Sequence, residues 1–166
     1  MTRPGEHAGV EADAAVTAVR SAPVAVTTAD CVPVVLVGDG AVGVIHAGWR
    51  GLLAGVVSSA AEAMAALGHP AHRAVVGPHI CGRCYEFGPA ELDRVAARWG
   101  DRVRVTTALG TPGLDMLAGV RAALTEVGVD RVDGEGGCTA CDPDHYWSHR
   151  ARTEAGRVAT VAWLEP

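Results

Sequence analysis

The sequence predicts a mixed α/β layered domain. Short β-branched runs alternate with stretches of helical spacing along the chain. The first three strands follow one another as a meander, which disfavours a doubly wound parallel sheet. The 166 residues suit one domain spanning residues 1–166. A domain of that size buries roughly 70% of its unfolded surface, so it needs no disulfide framework.

Residues 1–12 are polar and carry Gly and Pro, and they read as a loose arm. Residues 23–28 and 32–37 read as strands. Gly38-Asp39-Gly40 is a turn signal, and residues 41–46 form the third strand. These runs are too short and too β-branched for helices. Residues 49–67 follow helical spacing, with Leu52, Leu53, Val56, Val57, Ala60, Met64 and Leu67 on one side and Gly68 as the stop. Residues 73–76 form a strand. Residues 89–99 form a helix opened by Pro89. A strand at 103–107, a helix at 114–127 ended by Gly128, a short strand at 131–133 and a closing strand at 157–164 complete the chain.

Composition narrows the function classes. Apolar residues make up 49%, which is ordinary for a globular protein, yet aromatics are only 4%, so the core rests on small side chains. A net charge of −5 argues against a nucleic-acid partner, which prefers a basic face. No apolar stretch reaches the roughly 20 residues that span a bilayer, and the first residues lack a signal-peptide core. The expected location is cytoplasmic, with no membrane partner. Five cysteines in such a chain read as ligands, nucleophiles or buried small hydrophobes rather than disulfide partners.

Two segments concentrate chemistry. Thr28-Ala29-Asp30-Cys31-Val32-Pro33 ends one strand and begins the next, and Ile45-His46-Ala47-Gly48-Trp49-Arg50-Gly51 follows the third. Taken alone, Cys31 reads as a buried small hydrophobe and His46 as a core histidine. Together they are more informative, because neighbouring strands bring them to one end of a sheet. They then suit either two ligands of a zinc ion that needs a third protein ligand and an open position, or a thiolate nucleophile with its base. Arg50 lies at the expected start of the longest helix, where backbone amides and a guanidinium favour an anion. Gly48 and Gly51 let backbone approach a phosphate or carboxylate.

The remaining candidates lie further along. His79 follows a strand and faces the same cleft. Residues 144–150 gather polar and aromatic groups that stack on a planar ligand or pack as a lid. His145 and His149 have the i,i+4 spacing of a weak helical metal pair. The pairs Cys81-Gly-Arg-Cys84 and Cys138-Thr-Ala-Cys141 are separated by 53 residues, 85 through 137. Paired C-x-x-C motifs that share a zinc are usually about 15–20 residues apart. Two such pairs can hold a structural zinc, since spacing in sequence is not spacing in space, or serve in redox chemistry. The expectation here is that they are unrelated loop cysteines and do not form a four-cysteine zinc site.

These segments resemble the YfiH family, also labelled multicopper polyphenol oxidase (laccase-domain) and purine nucleoside phosphorylase. The shared motifs are residues 28–33 and 46–51, Gly77-Pro-His-Ile80, Cys84-Tyr-Glu86, Cys138-Thr139, Ser148-His-Arg150, Gly156-Arg157 and Ala162-Trp-Leu164, in that order. The resemblance runs from about residue 12 to 164. It implies an α/β sandwich with a mixed sheet, related to toxin deamidase domains, and one zinc held by two histidines and a cysteine. Cys31 and His46 match two of those ligands; copper attaches by family label only.

The implied activity is phosphorolysis of adenosine, inosine, guanosine and methylthioadenosine, with adenosine deamination beside it and phosphate and purine nucleosides as partners. Cys31, His46 and Arg50 would be catalytic, and Asp30, Gly48, His79 and Arg150 would bind substrate. Family members carry a longer N-terminal part with a Val-His-Gly segment, which holds the first zinc histidine, and an arginine segment. His7 is out of register for that histidine, so the third zinc ligand is expected to be missing. The family's Ser-Tyr-Arg-Arg stands here as Ser148-His149-Arg150-Ala151. Two alternatives follow: a weakly active or non-catalytic ligand-binding member, or a metal-independent Cys/His hydrolase, including one that edits peptidoglycan precursors.

Overall fold

Residues 32–47 hold the densest β-branched run in the chain, broken once by Asp39-Gly40, and they form its central hairpin. The computed structural model describes residues 10–134 and 136–166. In it, β3 (Val32–Gly38) pairs antiparallel with β4 (Ala41–Ala47), and Gly38 opposite Ala41 closes the hairpin. Gly40 turns the chain at φ +99°, a conformation that costs glycine little. Apart from Val35, Val37 and His46, every residue of the two strands is buried. That explains their nearly unbroken apolar composition.

Two further strands flank the hairpin. β1 (Ala14–Thr17) lies antiparallel to β4, and β5 (Ala71–Val76) lies antiparallel to β3. The short β8 (Val132–Asp133) runs parallel to β5, giving the mixed order β1-β4-β3-β5-β8. A second sheet pairs β2 (Val24–Thr28) with β9 (Val158–Ala162). A small ribbon pairs β6 (Arg104–Thr106) with β7 (Pro112–Leu114). The helices are α1 (Trp49–Leu53), α2 (Val56–Ala66), α3 (Pro89–Trp99), α4 (Met116–Glu126) and α5 (His149–Arg152).

The period of two along β4 divides the core between the faces of the main sheet. Ala41, Ile45 and Ala47 join the large cluster with Leu52, Val57, Met64, Val120 and Leu124 from the helices. Val42 and Val44 join Val24, Val26 and Ala162 from the second sheet. The result is three layers: helices, main sheet and two-stranded sheet. No helix among the described residues is long and apolar enough to cross a membrane.

Several expectations need correction. The strand at 24–28 does not sit in a meander with its successors; it pairs with the last strand of the chain. Pattern reading favours the next strand in sequence and carries no signal for a partner at the far end. The expected helix at 49–67 is two helices. Gly55 sits between them at φ +86°, a left-handed conformation that ends α1 after five residues. Arg50 therefore lies in a short helix and not at the head of the longest one. β1, β7 and α5 were not anticipated, being short and poor in β-branched or periodic patterns. Of the expected N-terminal arm, residues 1–9 lie outside the described residues, His7 among them.

The registers carry a consequence for function. Val34 stands opposite both Ile45 and Val76, Ala14 opposite Ile45, and Ala74 beside Val132. The start of β1, the start of β3, the end of β4, the end of β5 and the end of β8 therefore all lie at one end of the sheet. The segments that emerge there begin or end with Asp13, Cys31, Gly48, Gly77 and Gly134.

The helix break gives a test of the fold. A Cβ at Gly55 would meet nothing within 4 Å, so only backbone strain opposes a side chain there. Gly55→Ala is expected to lower stability by about 1 kcal/mol in denaturant unfolding, without loss of secondary structure by circular dichroism. A neutral or stabilised variant would show that the break does not depend on the left-handed residue.

Candidate functional site

At the common sheet end, the pairs Val32↔Ala47 and Pro33↔His46 set Cys31 beside Gly48. A Cβ built on Gly48 would stand 3.3 Å from Cys31 Sγ and 3.8 Å from His46 Nε2. The sulfur and that imidazole nitrogen thus converge on the space that glycine leaves open. Any larger residue would crowd the sulfur. Behind the ring, His46 Nδ1 lies 2.8 Å from Asp13 Oδ1, and the His46 amide donates to the Asp13 carbonyl at 2.7 Å. Asp13 directly precedes β1, and sequence reasoning gave it no role, since no strand was expected at residues 14–17.

The neighbouring Cys31 sulfur is the main reason why the His46 pKa is raised to about 9. Partial burial works against the shift, and the Asp13 carboxylate adds to it. In the metal-free protein the imidazole is therefore charged at neutral pH. The pair is half-exposed: the side chains of His46 and Asp13 keep 34% and 57% of their accessibility, so solvent screens their attraction.

A cavity of about 120 Å³ opens beside Cys31, lined by Asp30, Gly48, Trp49, Tyr85, His149 and Arg150, among others. The Arg150 guanidinium lies over the Tyr85 ring at 5.0 Å from its centroid, and burial pushes the Tyr85 phenol up. Arg50 is exposed, stacks on Trp49 at 4.3 Å, and is not among the residues that line this cavity. Arg150 also lines an open groove of about 760 Å³ with Arg83, Glu86, Phe87, Thr107 and Leu109. That volume falls within the range of small-molecule sites.

Asp30 is buried and adopts φ +93°, a conformation that few residues other than glycine tolerate. Its carboxylate accepts from Thr139 Oγ1 at 2.7 Å, Ser148 Oγ at 2.7 Å and the Arg150 amide at 2.6 Å. Ser148 in turn caps α5 by accepting from the Ala151 amide at 3.1 Å. Asp30 thus fixes the segment that presents His149 and Arg150 to the cavity. Both of its oxygens are engaged by the protein itself.

His79 is buried, with Nδ1 at 3.0 Å from the Gly77 carbonyl, and it is not among the residues that line the small cavity. Its backbone forms a parallel bridge with Cys138, and the next residue, Ile80, donates to the Asp30 carbonyl. His145 and His149 do not share a helix. α5 begins at His149, and His145 Nδ1 instead meets Asp142 Oδ1 at 2.8 Å. The expectation that the two C-x-x-C pairs are unrelated is overturned. The sulfurs of Cys81, Cys84, Cys138 and Cys141 all lie within 4.8 Å of one another. β5 and β8 are parallel neighbours, so the loops that follow them emerge side by side whatever their separation in sequence.

Two outcomes are expected from this geometry. Nuclear magnetic resonance of the metal-free chain should find His46 titrating near pH 9, and Cys31→Ala and Asp13→Asn should each move it back toward the ordinary value of about 6.5. Because the folded value is raised, the stability gained from this proton is complete below about pH 6.5 and fades as pH rises through about 9. An ordinary value in the parent chain would contradict the pairing. Asp30→Asn should cost about 1.5–3 kcal/mol, since the amide cannot accept from all three donors. An unchanged unfolding midpoint would refute the anchoring role of Asp30.

The chain matches the family described as multi-copper polyphenol oxidoreductase laccase over residues 2–165. It is 46% identical over 157 residues to a Streptomyces griseus protein named purine nucleoside phosphorylase ORF3, covering 92% of this chain and 63% of that one. A Streptomyces coelicolor protein named purine nucleoside phosphorylase SCO2081 is 43% identical over 165 residues, covering 97% and 67%. The chain therefore spans 63–67% of the length of these relatives. Among solved structures, Neisseria meningitidis NMB0706 superposes with a TM-score of 0.83 at 31% identity, covering 94% of this chain and 66% of that one. Bacillus licheniformis YfiH superposes with a TM-score of 0.82 at 27% identity, covering 92% and 61%. The mixed α/β architecture is thus that of the YfiH structures, and the chain belongs to the multi-copper polyphenol oxidoreductase laccase family.

Proposed function

We propose that this chain carries the reacting centre of a zinc-dependent purine nucleoside phosphorylase. The single observation that carries the proposal is the convergence of Cys31 Sγ and His46 Nε2, with Asp13 on the opposite ring nitrogen. A carboxylate in that position orients a histidine for metal ligation. Sulfur and imidazole both suit zinc. Among the described residues no third histidine, cysteine or acidic ligand gathers with this pair. The site therefore fits zinc with two protein ligands and holds it weakly unless a further ligand is supplied. Bound zinc would supply positive charge and Lewis acidity at the mouth of the cavity.

The other residues act on the substrate. Arg150, steadied on Tyr85, offers a flat two-pronged donor to phosphate, with Arg50 as a second cation nearby. The small cavity suits the phosphate, and the adjoining groove has room for the nucleoside. A phosphate oxygen bonds to the anomeric carbon as the glycosidic C–N bond breaks. The electron pair leaves with the purine, which takes a proton from solvent, yielding free base and pentose 1-phosphate. The names of the relatives support this reaction class. Adenosine, inosine, guanosine and methylthioadenosine are the substrates to assay, together with adenosine deamination.

A second reading has its own support. A cysteine sulfur beside a charged imidazole is also the arrangement of a thiolate nucleophile and its proton donor. Metal dependence separates the two. Release of free base from inosine should require both phosphate and zinc, stop with a chelator, and vanish in Cys31→Ala. Arg150→Ala should raise KM for phosphate about tenfold, corresponding to about 1.4 kcal/mol. Turnover that survives chelation would favour the thiol reading. No release by the zinc-loaded parent chain would overturn the assignment of phosphorolysis to this chain.

A further inference from the structure

The geometry points to a second metal centre, separate from the Cys31–His46 pair: a structural zinc site made of Cys81, Cys84, Cys138 and Cys141. All four sulfurs lie within 4.8 Å of one another, and Cys84 Sγ stands 3.3 Å from Cys141 Sγ. Four ligands at about 2.3 Å in a tetrahedron have edges of about 3.8 Å, so small shifts suffice around a zinc ion: the Cys84–Cys141 pair opens slightly and the wider pairs close. The five cysteines of the chain are all free thiols. The short sulfur contact crosses between the two C-x-x-C motifs. A redox pair of the C-x-x-C kind would instead join sulfurs within one motif.

The backbone around the cluster is arranged for ligation. Each motif closes a tight turn, with the Cys84 amide on the Cys81 carbonyl at 2.9 Å and the Cys141 amide on the Cys138 carbonyl at 3.2 Å. The Cys81 amide donates to Cys138 Sγ at 3.2 Å, a contact that favours the thiolate form a metal requires. The two loops are laced together just before the cysteines. His79 donates to the Gly137 carbonyl and accepts from the Thr139 amide, both at 3.0 Å. Arg152 donates to the carbonyls of Thr139 and Ala140, the two residues between Cys138 and Cys141, at 3.2 Å each. The same guanidinium is paired with Glu154 at 2.9 Å, so it acts here as a hydrogen-bonding clamp on the backbone of the second knuckle. Four thiolates favour zinc over harder cations, and zinc entry releases the remaining thiol protons to solvent.

With four protein ligands the centre has no open position, so its role is to hold structure. It would tie the loop after β5 to the loop after β8. Tyr85 follows Cys84 directly, and Arg152 grips the second knuckle from the helix that bears Arg150. The zinc would therefore fix the Tyr85–Arg150 wall of the cavity beside Cys31.

The test uses the whole chain, purified under reducing conditions and dialysed, as the parent and as the double variant Cys31→Ala/His46→Ala. Both are expected to retain one zinc per chain by elemental analysis. X-ray absorption should give a shell of sulfur alone at about 2.3 Å in the double variant. Cobalt in place of zinc should give the intense visible bands of a tetrahedral thiolate complex. Cys84→Ser/Cys141→Ser should lose both metal and bands, and chelation of the parent should lower its melting temperature. If the serine variant does not fold, the X-ray absorption spectrum of the Cys31→Ala/His46→Ala variant decides alone. Absence of retained metal in the parent, a shell of nitrogen or oxygen in the double variant, or a Cys84–Cys141 disulfide in the reduced protein would overturn the inference.

Discussion

Everything at the site depends on the pairing of β3 with its two neighbours. Because β3 runs antiparallel to both β4 and β5, its first residues meet the ends of the other two, Val32 opposite Ala47 and Val34 opposite Val76. β1 begins at the same end, and β8, parallel to β5, finishes there. Five segments distant in sequence are thus delivered to one edge without any long loop having to reach. A slip of one residue in the β3–β4 register would turn every side chain of β4 to the opposite face of the sheet. The apolar alternation that divides Ile45 from Val44 between two cores holds that register, and so holds His46 beside Cys31.

The site divides its labour between two acids. Asp13 is half-exposed and works through His46, fixing the ring so that Nε2 faces the sulfur. Asp30 is buried and works through backbone and hydroxyl groups, pinning the turn at 148–150. Its left-handed backbone is strained for a residue with a side chain, and three charge-assisted hydrogen bonds hold it there. Burial of this side chain is tolerable because both of its oxygens are met by donors. The Arg150 guanidinium is then left to lie over the Tyr85 ring at the edge of the cavity.

How far this was legible in the sequence follows from the range of each signal. The β3–β4 hairpin could be read because its β-branched runs flank a Gly-Asp-Gly turn, and α3 because Pro89 opens it. Cys31 and His46 were therefore found together from local pattern. The partner of β2 was not legible, since its pairing with β9 spans most of the chain. The break at Gly55 was missed because the apolar spacing continues through it on both sides. Asp13 went unassigned because its hydrogen bond to His46 requires β1, whose alanines give little strand signal. The four cysteines were separated by a spacing rule that holds for compact zinc modules. Here a crossover containing α3 and α4 returns the chain parallel to β5 and undoes that separation.

The central claim is that Cys31 and His46 form one ligand pair, with Asp13 as its outer partner. Anomalous diffraction at the zinc absorption edge, from crystals of the chain soaked in zinc, tests it most directly. The account predicts a peak bonded to Cys31 Sγ and His46 Nε2, with Asp13 still on Nδ1. A structure in which zinc is absent from this pair while occupying other sites, or in which the imidazole turns its Nε2 away from the sulfur, would contradict it.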